Sequence, residues 1–139
     1  FCMSFLKVGL IPDLAAFFTL PRVVGNQRAK EIMLSARDIG AVEAMHLGIV
    51  SEIHTPEKLI HRAHEIAQTF VQASPLAVGL IKRAFSENHI NQLELALNFE
   101  AHSQSLAATS EAHKKEVTGF INKQSLSFQW NPNPINKEI

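Results

Sequence analysis

Asp13 is the residue whose surroundings best suit proton transfer. It follows Pro12 directly and precedes the apolar run Leu14–Leu20, so the pattern predicts a helix that begins next to the aspartate. Burial among apolar side chains disfavours a charged carboxylate, whereas the N–H groups and the dipole of a helix N-terminus favour it. A general base needs a position that can be adjusted in this way. The residues alone leave two interpretations open, because Asp is also a preferred helix N-cap.

Two glutamates, Glu94 and Glu100, lie on a long helical stretch further along the chain. Carboxylates on helix surfaces are usually solvated or weakly ion-paired. We therefore expect both side chains at the surface, without a catalytic role.

The seven histidines do not predict a metal site. His61 and His64 have the spacing that places two ligands on one helix face, but no acidic pair or cysteine accompanies them at ligand spacing. The sequence also lacks the glycine-rich phosphate loop, the dinucleotide fingerprint, the H-E-x-x-H motif and the G-x-S-x-G motif. Nucleotide-binding and hydrolase classes are therefore disfavoured.

The composition is that of a globular protein, with 46% apolar and 19% charged residues among 139. Thirteen basic residues balance 13 acidic ones, so no net field favours nucleic acid or an anionic membrane as a partner. No apolar run approaches the ~20 residues that span a bilayer. The single cysteine, Cys2, cannot form an internal disulfide, and we expect a reducing, cytoplasmic location.

The pattern of elements predicts a mostly α chain with one or two short strands. Residues 1–11 suit a buried strand and residues 49–53 an edge strand. We expect a short helix ending at Pro21, an amphipathic helix burying Ala29, Ile32, Met33 and Ala36, a connector over 41–47, and helices starting at Pro56, Pro75, Asn91 and Ser110. Two strands do not make a stable sheet, so either the domain is helical or its sheet lies outside this sequence.

Several motifs in one order resemble the second half of the enoyl-CoA hydratase/isomerase (crotonase) superfamily, from about Phe5 to Phe128. They are Val8–Asp13, Leu20–Gly25, Arg28–Leu34, Ala41–Ala44, Leu47–Val50, Ser74–Ala77 with Ile81 and Lys82, Glu100, and Phe120–Lys123. Linked motifs in the right order are far more specific than any one of them.

The resemblance implies the C-terminal helical part of the α/β crotonase fold, whose first half is built of ββα units. It divides the chain into the end of the core at 1–54, a helical oligomerisation region at 55–124 and an irregular tail at 125–139. It also implies a homo-oligomer, as a trimer or a dimer of trimers. Both oxyanion-hole donors of the family come from its first half, so we expect a fragment of a longer protein that is inactive by itself.

The resemblance also assigns the site. It implies that Asp13 is catalytic, because some isomerases of the family carry a proton-shuttling Asp at the matching position and a dehalogenase branch uses an Asp there as nucleophile. Phe5, Leu14 and Phe17 are expected to line the substrate pocket, and Phe120 and Lys123 are expected to contact coenzyme A. The chain departs from the family at Leu14–Ala16, which replaces a more glycine-rich stretch, and at Gln124, where the family usually has Arg.

Three functions remain open. The leading one is an acyl-CoA isomerase that moves a proton on an enoyl-CoA thioester, with coenzyme A as part of the substrate and no separate cofactor or metal. A hydratase is the alternative, although Phe5 stands where the family's hydratases have a glutamate and cannot transfer a proton. The third is a helical association module without catalysis.

Overall fold

The computed structural model describes residues 1–87 and 89–130 of the chain. It is 70% helical, and the described residues form no strand, which confirms the mostly α prediction. None of the helices in this part combines the length and low polarity that crossing a lipid bilayer requires.

Seven α-helices and two 3₁₀ turns follow one another in the described part. They are a 3₁₀ turn Ser4–Val8, α1 (Ala16–Val24), α2 (Asn26–Ser35), α3 (Ala41–His46), α4 (Pro56–Thr69), a 3₁₀ turn Phe70–Gln72, α5 (Pro75–Glu87), α6 (Ile90–Ala108) and α7 (Glu111–Ile121). Of the predicted irregular tail, residues 131–139 lie outside the described part. The boundaries at 54 and 124 between the three parts of the chain stay predictions.

Three of the predicted helix starts are confirmed. Helices α4 and α5 begin at Pro56 and Pro75, where the missing N–H costs nothing because the first turn of a helix has no acceptor for it. Ser110 caps α7 by accepting a hydrogen bond from the His113 N–H at 3.1 Å. The predicted start at Asn91 is wrong by one residue, because α6 begins at Ile90 and Asn91 lies inside it.

Both predicted strands are wrong. Residues 4–8 form a 3₁₀ turn, and the strand-like pairing of the first segment is limited to an antiparallel bridge between Cys2 and Asp38. The N–H of Ile49 bonds instead to the carbonyl of Ala44, which ends α3. A strand needs a neighbour that offers N–H and C=O groups along its length, and the described residues supply that neighbour at only one position.

Pro21 does not end α1, contrary to the sequence-based expectation. The helix continues to Val24, because a proline removes only one donor, and the Gly25 N–H still bonds to the Pro21 carbonyl at 2.9 Å. The helix stops at Gly25, whose φ of 78° lies in the region that glycine adopts without cost.

The core lies between α2 and α3. The predicted face of α2 is confirmed, since Ala29, Ile32, Met33 and Ala36 are all buried. Ile32 packs with Ile39 and Ala44, and partly buried side chains close the cluster: Met3, Leu20, Val24, Leu47, Ile49 and Val50. Residues 49 and 50 therefore contribute to the core as irregular backbone.

Arg37 ties α2 to α3 across this core. Its guanidinium donates to Glu31 at 2.6 and 3.2 Å and to Glu43 at 2.9 and 2.6 Å. The hydrogen bonds from Arg37 lower the pKa of both carboxyl groups. A similar fork from Arg62 on α4 holds Glu52 at 2.8 and 2.9 Å and lowers the pKa of that carboxyl to about 2.

Helix α7 packs on the first 3₁₀ turn through a close backbone approach. The His113 Nδ1 donates to the Val8 carbonyl at 2.6 Å. Gly9 follows with φ 71°, and a Cβ there would lie 3.0 Å from the His113 backbone nitrogen. Two constraints therefore favour glycine at this position: the positive φ, and the close approach of the α7 backbone, which leaves no room for a Cβ.

We predict that Gly9→Ala lowers the free energy of unfolding by about 1–3 kcal/mol, because the new Cβ meets the α7 backbone and disfavours positive φ. Gly79→Ala is the matched control, since Gly79 lies inside α5 with no heavy atom within 4 Å of the added Cβ. That change should raise stability by about 0.5–1 kcal/mol, because alanine favours helix. Urea titrations followed by circular dichroism measure both, and equal effects of the two substitutions would contradict the close approach.

The ion pairs of Arg37 with Glu31 and Glu43 predict a loss of stability in acid. Because Arg37 lowers the pKa of Glu31 and Glu43 below the ordinary glutamate value of 4.5, their contribution is complete above that value and is lost as the pH falls through the folded-state pKa. Arg37→Met should therefore reduce the difference in unfolding free energy between pH 7 and about pH 3.5. Lys30→Met, an exposed change on α2, the helix that carries Glu31, should leave that difference unchanged in the same denaturant titrations.

Candidate functional site

A strained turn places Asp13 ahead of α1. Leu14 and Ala15 follow it with φ angles of 57° and 62°, in the left-handed region that residues with a Cβ rarely adopt. Each such residue costs roughly 1–2 kcal/mol relative to ordinary backbone. The departure from a glycine-rich stretch noted at Leu14–Ala16 therefore has a conformational cost, and other contacts must hold the turn.

Glu100 of α6 supplies those contacts. Its side chain is only 3% exposed, and its carboxylate accepts the N–H of Ala15 at 2.7 Å and the N–H of Phe17 at 3.2 Å. One turn further along α6, the Gln104 side-chain oxygen accepts the N–H of Ile11 at 3.1 Å. Two polar side chains of α6 thus hold the backbone on both sides of Asp13.

These contacts correct two expectations. Glu100 is not a surface residue, because it is buried against the start of α1. Asp13 is not the cap of that helix, since its side chain makes no capping bond and the N-cap position is Ala15. The carboxylate that serves the first N–H groups of α1 comes from Glu100, which balances its burial with two hydrogen bonds and a helix N-terminus.

The Asp13 side chain is left with a different environment. It is half-buried and lines an open groove of about 480 Å³ between the turn and α6. Across residues 1–87 and 89–130 no donor or cation pairs with its carboxylate. It is therefore able to accept a proton from a molecule bound in the groove.

The groove has a mostly apolar wall with a few polar groups. The turn contributes Asp13 and Leu14, and the α6 residues that line it are Leu97, Glu100, Ala101, Gln104, Ser105 and Ala108. Since both Glu100 oxygens are occupied by backbone N–H groups, Asp13 is the lining carboxylate that is open to a ligand.

The structure brings together only some of the predicted pocket residues. Leu14 lines the groove beside Asp13 and is 87% exposed. Phe17 lies outside the lining and packs edge-on against Phe99, with ring centroids 5.8 Å apart. Phe5 is half-buried in the first 3₁₀ turn and also lies outside the lining.

The residues predicted to contact coenzyme A lie at the end of α7. Phe120 is 69% exposed on the last turn of the helix, and Lys123 follows two residues after the helix ends, with φ 56°. Neither lines the groove that holds Asp13.

Sequence reasoning missed the positions of Glu100 and Gln104 at this site. Their four-residue spacing puts them on one helix face, and Leu97 and Ala101 share that side of α6. Two polar residues on the apolar side of a helix are the available signal, because buried polar groups need hydrogen-bond partners. In the described part no cluster of three or more His, Cys, Asp or Glu side chains could hold a metal ion.

Comparison with known proteins gives a consistent match. The family model for enoyl-CoA hydratase/isomerase matches residues 1–131. The chain is 33% identical over 128 residues to the 1,2-epoxyphenylacetyl-CoA isomerase of Escherichia coli K12, covering 92% of this chain and 49% of the relative. It is 32% identical over 119 residues to the short-chain-enoyl-CoA hydratase of Clostridium acetobutylicum, covering 86% and 46%. The chain thus spans about half the length of these curated relatives.

Solved structures agree with the sequence match. An enoyl-CoA hydratase/isomerase from Pseudoalteromonas atlantica T6c superposes with a TM-score of 0.80 at 26% identity, over 90% of this chain and 50% of that one. One from Cupriavidus metallidurans CH34 is 40% identical with a TM-score of 0.58, over 94% and 49%. From the family match over residues 1–131 and the shared fold, this chain belongs to the enoyl-CoA hydratase/isomerase family.

Proposed function

We propose that the protein is an acyl-CoA isomerase in which Asp13 moves a proton on an enoyl-CoA thioester. The observation that carries this proposal is the Asp13 carboxylate, which faces the groove without a partner among the described residues. The relative named 1,2-epoxyphenylacetyl-CoA isomerase adds support.

The chemistry needs one base that returns the proton it takes. The Asp13 carboxylate removes a proton from C2 of a 3-enoyl-CoA, the electron pair of that C–H bond enters the thioester dienolate, and the carboxylic acid returns the same proton at C4. The double bond moves from C3–C4 to C2–C3, with no water added and no redox change. The resemblance assigns the oxyanion donors to the family's first half, so assays should use the protein expressed from its complete gene.

Hydration is the second candidate, favoured by the relative named short-chain-enoyl-CoA hydratase. It needs a group that activates water, and Phe5 supplies none at the position where the resemblance expects a glutamate. Hydration consumes the conjugated 2-enoyl thioester, whereas isomerisation of a 3-enoyl thioester creates it, so the sign of the ultraviolet absorbance change separates the two. If the protein catalyses neither reaction, the remaining function is that of a helical association module without catalysis.

The proposal extends to the rest of the substrate. Phe120 and Lys123 are both exposed, so the aromatic ring can contact the adenine of coenzyme A and the ammonium can pair with its phosphates.

A cytoplasmic location and the lack of a separate cofactor stay predictions.

We predict that Asp13→Asn lowers kcat on a 3-enoyl-CoA by about 10²–10⁴-fold and leaves acyl-CoA affinity nearly unchanged, because the amide keeps the size but cannot accept a proton. Since the Asp13 side chain caps no helix, the melting temperature should not change. Asp38→Asn, at an exposed position, is the control and should keep full activity. Full kcat in Asp13→Asn would remove the aspartate from the mechanism.

We also predict self-association through α6 and α7. These helices expose large apolar side chains outside the groove, among them Phe99 and Leu106, and a patch of that kind marks an interface. Sedimentation should give a trimer or a dimer of trimers. Leu106→Asp should weaken this self-association, whereas Leu34→Asp, on the exposed surface of α2, should leave it unchanged. A strictly monomeric protein at micromolar concentration would contradict this prediction.

A further inference from the structure

We propose that Glu100 is the positioning residue for proton transfer at Asp13, an inference that rests on the function proposed above. Glu100 does not reach the substrate in this role. It acts through the backbone of the turn that carries the aspartate.

The contact geometry supports this role directly. The two Glu100 oxygens accept the N–H groups of Ala15 and Phe17, at 2.7 and 3.2 Å, so both are engaged by backbone two and four residues after Asp13. The side chain is 3% exposed, which leaves it little freedom to move toward a ligand. Its carboxylate therefore fixes where the turn lies relative to α6.

The backbone of the turn explains why such an anchor is needed. Leu14 and Ala15 have φ angles of 57° and 62°, and both carry a Cβ that disfavours this region. Without the carboxylate, the turn relieves its strain by returning to negative φ. Because these torsions directly follow Asp13, that relaxation moves the Asp13 carboxylate relative to the groove wall formed by α6.

The first test is Glu100→Gln in the protein expressed from its complete gene. The amide offers one acceptor oxygen to two N–H donors, so one of them loses its partner. We expect kcat on a 3-enoyl-CoA to fall by about 10²-fold, the loss that a misplacement of about 1 Å causes, with KM nearly unchanged. Hydrogen exchange of the Ala15 and Phe17 amides should quicken, which is a readout independent of activity. Glu94→Gln, exposed on the same helix, should change neither.

Rescue separates positioning from a general loss of stability. Adding Ala15→Gly to Glu100→Gln should recover about ten-fold of the lost kcat, because glycine adopts positive φ without strain. Ile32→Ala, which opens a cavity in the core and lies outside the groove lining, should keep kcat when assayed below its unfolding temperature. If Glu100→Gln does not fold, Glu100→Asp retains the charge but is one methylene shorter, and its kcat should fall in the same direction.

The outcomes separate the two proposals. Full kcat in Glu100→Gln, or no recovery with Ala15→Gly, overturns the positioning role while loss of activity in Asp13→Asn still supports the proposed function. Full kcat in Asp13→Asn overturns both, since no base would then remain at this turn for Glu100 to position.

Discussion

The hydrogen bonds from Ala15 and Phe17 to the buried carboxylate of Glu100 are the interaction on which the rest of this structure depends. A buried carboxylate is costly unless its oxygens are occupied, and the start of a helix offers unpaired N–H groups to occupy them. The contact between Ala15 and Glu100, which lie 85 residues apart in the chain, satisfies both the carboxylate and the helix N–H groups. The direction of α1, the strained turn before it and the groove beside α6 all follow from where this contact lies.

Within the described residues, further contacts between the two ends of the chain are both aromatic and polar, and the rings of Phe17 and Phe99 pack edge-on. Gln104 accepts the N–H of Ile11, and His113 donates to the Val8 carbonyl. The apolar core is confined to α2, α3 and the segments packed on them, and Arg37 braces it through two carboxylates. By contrast, α4 and α5 turn much apolar surface outward, for example Leu59, Phe70, Leu76, Leu80 and Phe85. Exposed apolar surface on this scale is typical of a protein that associates.

The groove contains two carboxylates with different tasks. Glu100 is committed to backbone N–H groups and is held rigid, whereas the carboxylate of Asp13 is unpaired within the described part of the chain. A carboxylate whose two oxygens both accept backbone N–H groups has no free oxygen to offer a substrate, and an unpaired group needs support to stay in place. Dividing the two tasks between two acidic side chains meets both requirements, in agreement with the role of base that we propose for Asp13.

The sequence by itself determined those features that depend on neighbours within a few residues. Proline at Pro56 and Pro75 and the hydroxyl of Ser110 specified three helix starts, and the spacing of Ala29, Ile32 and Met33 specified the buried face of α2. The ordered motifs also identified the family. Only the tertiary structure decided that residues 1–11 and 49–53 would not form strands, because strands require pairing partners that local sequence cannot supply. It also decided that Glu100, and not Asp13, would cap α1. The apolar residues that share a face of α6 with Glu100 indicate a buried position, but the N–H of Ala15 that occupies its carboxylate comes from 85 residues away.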